Sequence, residues 1–270
     1  MFCVLKTAFS ALALTLSTLS PALVSARHLP NGSPDAGRTH APRHATRAAW
    51  TAVGRLPHMV DRPAVAVGQD GNVYIFGGMD NGDGYNVSNS VYIYHPSRRA
   101  WTRGADLPVA REGAQAVTWP DGRIAVLGGS PGCPNPSSAQ LCFSTSRVDV
   151  YTPRTNSWRT VASMRRPRYR FNAVWSRGRI YAIGGLDGTQ PLASVETYDP
   201  GANKWRYVAG LPRVTEGAAA TVDVWGRIYV LGGAPGGYPL YNSLYIYDGH
   251  RRAGDAAGDA RLRRHVRWRR

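Results

Sequence analysis

The chain has 270 residues and a formal charge of +16, with 30 Gly, 19 Pro, 8 Trp and 14 Tyr. That length holds one large domain or two small ones around a real core, and the Gly, Pro, Trp and Tyr content suits many short strands and turns. The charge argues against a nucleic-acid binder once it is located. Residues 251–270 carry eight Arg against two Asp and residues 27–50 four Arg against one Asp, which leaves the residues between only mildly basic.

In chain order, the first element is a targeting signal. MFCVLK has one positive charge, TAFSALALTLSTL is a short apolar run, and PALVSA ends in small residues at Val24 and Ala26. This is the pattern of a secretory signal peptide over 1–26, with cleavage expected after Ala26. The apolar run is short for a membrane anchor, so the chain is expected to be secreted, periplasmic or extracellular, with no transmembrane segment after cleavage. Residues 27–49 are polar and Pro/Gly-rich and read as a flexible linker. Cys3 leaves with the signal. The two remaining cysteines, Cys133 and Cys142, are expected to form a disulfide in an exported protein.

From 50 to 249 the sequence repeats. NVYIFGG, RIAVLGG, RIYAIGG and RIYVLGG place glycine pairs at Gly77, Gly128, Gly184 and Gly232, in steps of 51, 56 and 48 residues. A period near fifty marks an array of supersecondary units. Each unit has an apolar run, a tight turn (QDG, PDG, SRG, VWG), the Gly-Gly strand, a longer loop, and a third run ending in Tyr. A Trp follows seven residues later at Trp101, Trp158 and Trp205. This predicts four short antiparallel strands per unit. In RIYAIGG both strand faces are apolar, so each sheet must be covered on both sides. Sheets stacked radially, each between two neighbours, form a β-propeller.

The Gly-Gly pairs, the late Tyr, the Trp seven residues on and the apolar residue six further on (Leu107, Met164, Leu211, and Leu56 after Trp50) resemble the kelch-repeat family. The resemblance spans about 50–249 and implies an all-β, kelch-type β-propeller with four strands per blade. It leaves function open, because kelch domains serve both as enzymes and as binding platforms. Four modules are visible. The segment Trp50-Thr-Ala-Val-Gly-Arg-Leu-Pro reads as a fourth strand with no blade before it, while the last module lacks its own. The expectation is a four-bladed ring closed by that N-terminal strand, or a partial, open propeller whose flanks drive oligomerisation.

Alternation of strand direction puts the loops after Gly-Gly on the same face as the loops approaching each first strand. Those loops are long and varied, the place where repeat scaffolds display binding residues. Their candidate ligand-binding residues are Arg170, Arg168, Tyr169, Glu112 and Glu216, with Arg111 beside them. Arg170 falls where modules resembling this one often place a ligand-contacting arginine. Arg offers a planar fork to carboxylates, so the expected ligand is a protein or glycan, acidic in character. For Arg111 and Arg168 the favoured reading is structural: hydrogen bonds that hold the loops. Cys133 and Cys142 lie in the second module's long loop, which takes 22 residues from the glycine pair to the closing Tyr against 16, 13 and 14 elsewhere. A bridge there is worth roughly 2–3 kcal/mol.

No cofactor, metal or catalytic constellation is expected. The histidines of the repeats are His58, His95 and the terminal His250, too few for a copper-radical oxidase of the kelch type. GGAPGGYP lacks the Lys-Ser of a phosphate loop. The reading is therefore an exported binding module, with a cofactor-free periplasmic sugar-modifying enzyme, such as a sialic-acid mutarotase, as the alternative. Residues 250–270 are a basic tail outside the repeat: Gly254 stands where the next Trp belongs. It is either an arm for anionic polymers or the product of a shifted reading frame.

Overall fold

The computed structural model describes residues 50–80, 86–132 and 143–249. The signal peptide, the linker, the Cys133–Cys142 pair and the basic tail lie outside the described residues. The described residues from Thr51 to Gly249 belong to one compact unit. Its described residues are all-β apart from a single 3-10 turn, Pro153–Thr155.

Each repeat is one antiparallel sheet, a blade of a four-bladed propeller arrangement. Blade 1 runs Ala64–Val67, Val73–Phe76, Val91–His95 and Ala100–Arg103, in spatial order. Blade 2 runs Gln115–Thr118, Ile124–Leu127, Val148–Thr152 and Ser157–Thr160. Blade 3 runs Asn172–Ser176, Arg179–Ile183, Val195–Asp199 and Lys204–Val208. Blade 4 has three strands, Ala219–Val222, Ile228–Leu231 and Leu244–Tyr247.

The apolar second strand explains the stacking. Ile180 and Ala182 share a core with Leu127 and Val150 of blade 2, while Tyr181 and Ile183 share one with Ile228 and Val230 of blade 4. Successive side chains point to opposite faces, so one strand feeds two interfaces. The Tyr-to-Trp spacing of seven makes each pair register partners across a hairpin: Tyr151 with Trp158, Tyr198 with Trp205. Their ring centroids lie 4.9 and 5.1 Å apart. Each indole then ties its blade to the one before. Trp158 Nε1 donates to the Ala105 carbonyl and Trp205 Nε1 to the Ala162 carbonyl, both at 2.8 Å.

The glycine pair is a second cross-blade tie. Gly128 and Gly129 both hold positive φ, 57° and 93°. A Cβ on Gly128 would stand 2.6 Å from the Arg168 carbonyl of blade 3, which accepts a hydrogen bond from Gly129 N at 2.8 Å. Only glycine allows both the dihedral and the approach.

The N-terminal strand expected to close the ring is not formed. Residues 50–57 make no strand, and Trp50 is fully exposed. First strands of neighbouring blades pack side by side from blade 1 through blade 4, and no comparable packing among the described residues joins blade 4 to blade 1. The molecule is the open, partial propeller of the two expected alternatives. Four blades at this spacing do not bring the last flank round to the first.

Candidate functional site on the Gly-Gly face

The approach to each first strand is a repeated three-residue unit: Val60-Asp61-Arg62, Arg111-Glu112-Gly113, Arg168-Tyr169-Arg170 and Thr215-Glu216-Gly217. The middle residue bridges to the residue just past the glycine pair, as Asp61 to Met79, Glu112 to Ser130, Tyr169 to Leu186 and Glu216 to Ala234. These bridges put the approach loops and the Gly-Gly loops on one face.

The first position of the unit is a buried strut in blades 2 and 3. Arg111 and Arg168 are 0% exposed. Arg111 pairs with Asp149 at 2.7 Å, and Arg168 with Glu196 at 2.9 Å. Arg168 also donates to the Gly184 and Ser194 carbonyls at 2.8 and 2.9 Å. Burial lowers the pKa of both arginines, against the pull of their carboxylates. Asp149 is held below the ordinary aspartate range: burial pushes it up, and Arg147, Arg111 and Thr160 outweigh that push. Arg168 therefore leaves the set of ligand-facing residues. Its guanidinium lies beneath the loop, with Nη1 and Nη2 on partners there and no donor at the surface, in keeping with the structural reading favoured for it and for Arg111.

The third position is where the surface site forms. Arg62, Gly113, Arg170 and Gly217 occupy equivalent places, and all four take positive φ: 49°, 60°, 51° and 59°. Two blades use glycine for this left-handed conformation and two hold an arginine in it. Arg62 Nη1 donates to the Tyr169 hydroxyl at 2.6 Å and pairs with Glu112 at 2.9 Å, while its Nε reaches Asp61 at 2.8 Å. Arg170 Nε donates to the same hydroxyl at 3.2 Å, and its Nη1 lies 3.5 Å from Glu216. Asp61, Arg62, Glu112, Tyr169, Arg170 and Glu216 thus form one polar chain across four blades. Its loosest contact is Arg170–Glu216, and Arg170 has a side chain about half exposed.

Burial raises the pKa of Glu112 above the ordinary glutamate range, although Arg62 pulls it down. Burial works against the charge of Arg170, and Tyr169 and Glu216 more than offset it. Beside Arg170 opens a cavity of about 430 Å³ lined by Glu216, Gly217, Leu240 and Tyr241. A cavity of about 470 Å³ lies on the opposite, short-turn face between blades 1 and 2. Of its charged lining residues, Asp121 holds Arg123 at 2.6 Å and Asp70 accepts from Tyr74 and Asn72. Among the described residues no group of three His, Cys, Asp or Glu stands at metal-binding distance, and no helix is long and apolar enough to cross a membrane.

Of the five residues expected at the site, Tyr169, Arg170, Glu112 and Glu216 converge in the structure and Arg168 does not. Sequence reading missed Arg62, Asp61 and Tyr241. Arg62 was legible, because it stands two residues before Ala64 as Arg170 stands two before Asn172.

The comparisons agree with this architecture. Residues 57–253 match the KLHDC2/KLHL20/DRC7 Kelch-repeats domain model. Kelch-like protein 35 of Mus musculus is 34% identical over 52% of this chain and 22% of its own length. Alpha-scruin of Limulus polyphemus is 33% identical over 65% of the chain and 20% of its own. The chain spans about a fifth of these relatives. The solved structure of YjhT superposes with a TM-score of 0.60 at 19% identity, covering 73% of this chain and 65% of that one, and it supports the fold alone. With the repeat, the blades and the family match in agreement, the chain belongs to the kelch-repeat β-propeller family, whose domains are typically protein-binding modules.

Proposed function

We propose that this chain is an exported kelch module that binds an acidic group of a protein ligand on the Gly-Gly face, with Arg170 as the central contact and Arg62, Tyr169, Glu112 and Glu216 around it. The observation that carries the reading is the left-handed backbone at Arg62 and Arg170. That conformation costs a non-glycine residue roughly 1–2 kcal/mol, and equivalent positions in blades 2 and 4 avoid the cost with glycine. Backbone strain of this kind clusters at binding sites, and among the described residues, outside tight turns such as those at Arg99 and Arg177, the arginines that carry it are these two. The 3.5 Å contact to Glu216 is the one a ligand carboxylate displaces most easily. Arg then presents a fork that accepts a carboxylate in two parallel hydrogen bonds.

The test is binding of the purified protein to arrayed Asp/Glu-rich peptides and, in parallel, to arrayed acidic and neutral glycans. Capture of acidic peptides that falls at least tenfold in Arg170→Gly, at unchanged melting temperature, is expected. Capture insensitive to that substitution overturns the site, and capture of glycans alone overturns the protein ligand. Equilibration of sugar anomers by pure protein, followed by NMR, would replace the binding module with an enzyme. Export is checked by N-terminal sequencing of mature protein, expected to begin after Ala26.

A further inference from the structure

Among the described residues blade 4 has no fourth strand, and the repeat defines that position to the residue. In blades 2 and 3 the fourth-strand indole lies against the third-strand Tyr and donates to an alanine carbonyl of the preceding blade: Trp158 to Ala105, Trp205 to Ala162. The next alanine in this series is Ala209. It is exposed, whereas Ala105 and Ala162 are half-buried. Around Ala209 lies an apolar cavity of about 230 Å³, lined also by Gly210, Leu211, Ile228 and Tyr247. Tyr247 is the position equivalent to Tyr151 and Tyr198. Its strand, Leu244–Tyr247, has a partner on one side only among the described residues.

The other face of blade 4, turned away from blade 3, has no neighbour among the described residues. Leu231, Leu244 and Ile246 are 43%, 54% and 47% exposed, while Leu127, Val148 and Val150, their equivalents in blade 2, are buried. Gly233 N lacks the cross-blade carbonyl that Gly78, Gly129 and Gly185 each find. At the other end of the arc Val65 and Val67 of blade 1 are exposed. Ahead of blade 1 in the sequence stands the surplus piece, Trp50-Thr-Ala-Val-Gly-Arg-Leu-Pro, whose Trp-to-Leu spacing of six matches Trp101–Leu107 and Trp205–Leu211. Trp50 is exposed, and Leu56 is exposed where Leu107 and Met164 are buried. The order of the link is already present. A Cβ on Gly54, the counterpart of Ala105 and Ala162, would stand 4.0 Å from Trp101 Nε1, and that buried indole nitrogen has no hydrogen-bond partner among the described residues.

We propose that a second copy of this chain fills the vacancy. The Trp50–Leu56 segment of one chain adds as the fourth strand along Leu244–Tyr247 of the other, with Trp50 seated in the cavity at Ala209 and the Gly54 carbonyl drawn onto Trp101 Nε1 of its own chain. The second copy is favoured over the same chain because blade 4 and blade 1 of one arc do not meet. Two arcs joined head to tail give each flank the face that the repeat makes complementary to it. Such a contact is heterologous, and closure after two copies would make a ring of eight blades, within the size range of known propellers. Strand addition also removes the open edge of blade 4.

The experiment is sedimentation or light scattering of the purified chain at micromolar concentration, with two variants. Trp50→Ala removes the donated side chain, and Ile246→Asp spoils the accepting flank. Wild type is expected at twice the chain mass. Each variant alone is expected to be monomeric at concentrations where wild type is dimeric, a rise of at least tenfold in dissociation constant. Mixed, the two variants are expected to form a heterodimer, because the intact blade 4 of Trp50→Ala accepts the intact Trp50 strand of Ile246→Asp. Circular dichroism on each variant separates dissociation from unfolding. A monomeric wild type, a dimer indifferent to Trp50→Ala, or folded variants that fail to complement each other overturns the proposal.

Discussion

At the residue scale, four arginines on neighbouring loops divide into two kinds of work. Arg111 and Arg168 are fully buried partners of Asp149 and Glu196, and removing one member of such a pair strands the other charge. Arg168→Ala is expected to cost about 3–5 kcal/mol in urea unfolding, whereas Arg168→Met combined with Glu196→Gln recovers part of that loss, since no charge is stranded and the Gln oxygen still accepts from one of the backbone amides that Glu196 holds. Arg62 and Arg170 are expected to behave in the opposite way. Arg170→Gly takes the residue found at Gly113 and Gly217, relieves the left-handed strain of roughly 1–2 kcal/mol, and gives some of it back as chain entropy. Stability is expected to hold or rise while ligand capture falls, and a clear drop in melting temperature would return Arg170 to a structural role. The carboxylates split likewise with pH. Asp149, held below the ordinary aspartate range, contributes stability that is present above that range and is lost as pH falls through its folded value. Glu112 is held above the ordinary glutamate range, so the fold loses stability as pH rises through that range to its folded value. The stability of Glu112→Gln relative to wild type should therefore increase between pH 4 and pH 7 in paired urea titrations, and a flat difference would refute the burial argument.

At the element scale, the repeated Gly-Gly is a tie between blades as much as the end of a strand. Gly185 N donates to the Thr215 carbonyl of blade 4 at 2.7 Å, and a Cβ on Gly184 would collide with that carbonyl. Gly232 faces no further blade among the described residues, and its Cβ would meet nothing closer than the Tyr241 carbonyl at 3.5 Å. Alanine at either position suffers the same dihedral cost, φ being 59° and 66°. Gly184→Ala is thus expected to destabilise clearly more than Gly232→Ala in chemical unfolding, and equal losses would mean that the dihedral alone selects glycine. The glycine pairs were legible in the sequence, as were the turns and the Tyr-to-Trp spacing. Their cross-blade partners were not, because the carbonyl that excludes a Cβ from Gly184 belongs to a residue 31 positions away.

At the scale of the molecule, the arc behaves as a short one-dimensional array, with stability summed from blades and their interfaces. Blades 2 and 3 each have two neighbours; blades 1 and 4 have one, and blade 4 has three strands. Hydrogen exchange on the monomeric Trp50→Ala chain is expected to be slowest in Ile124–Leu127 and Arg179–Ile183 and fastest in Leu244–Tyr247. Uniform protection across the four blades would contradict the open arc. The net charge of +16 sits largely in residues 27–50 and 251–270, so it bears on solubility and non-specific adhesion rather than on this order.

The sequence by itself determined the repeat, the strand pattern, the fold family and the face on which the varied loops meet, because these follow from local periodicity and from spacing repeated in register. It also showed a Trp-to-Leu segment, Trp50–Leu56, ahead of the first module, and Gly254 in place of the Trp expected seven residues after Tyr247. Only the tertiary structure decided which arginines are struts and which reach the surface, since Arg168 and Arg170 flank the same Tyr169 and are separated by the partners folded against them. Only the tertiary structure left the arc open, because closure depends on the angle each interface sets between blades, and that angle arises from side chains about fifty residues apart packing together, as Trp158 does on Ala105.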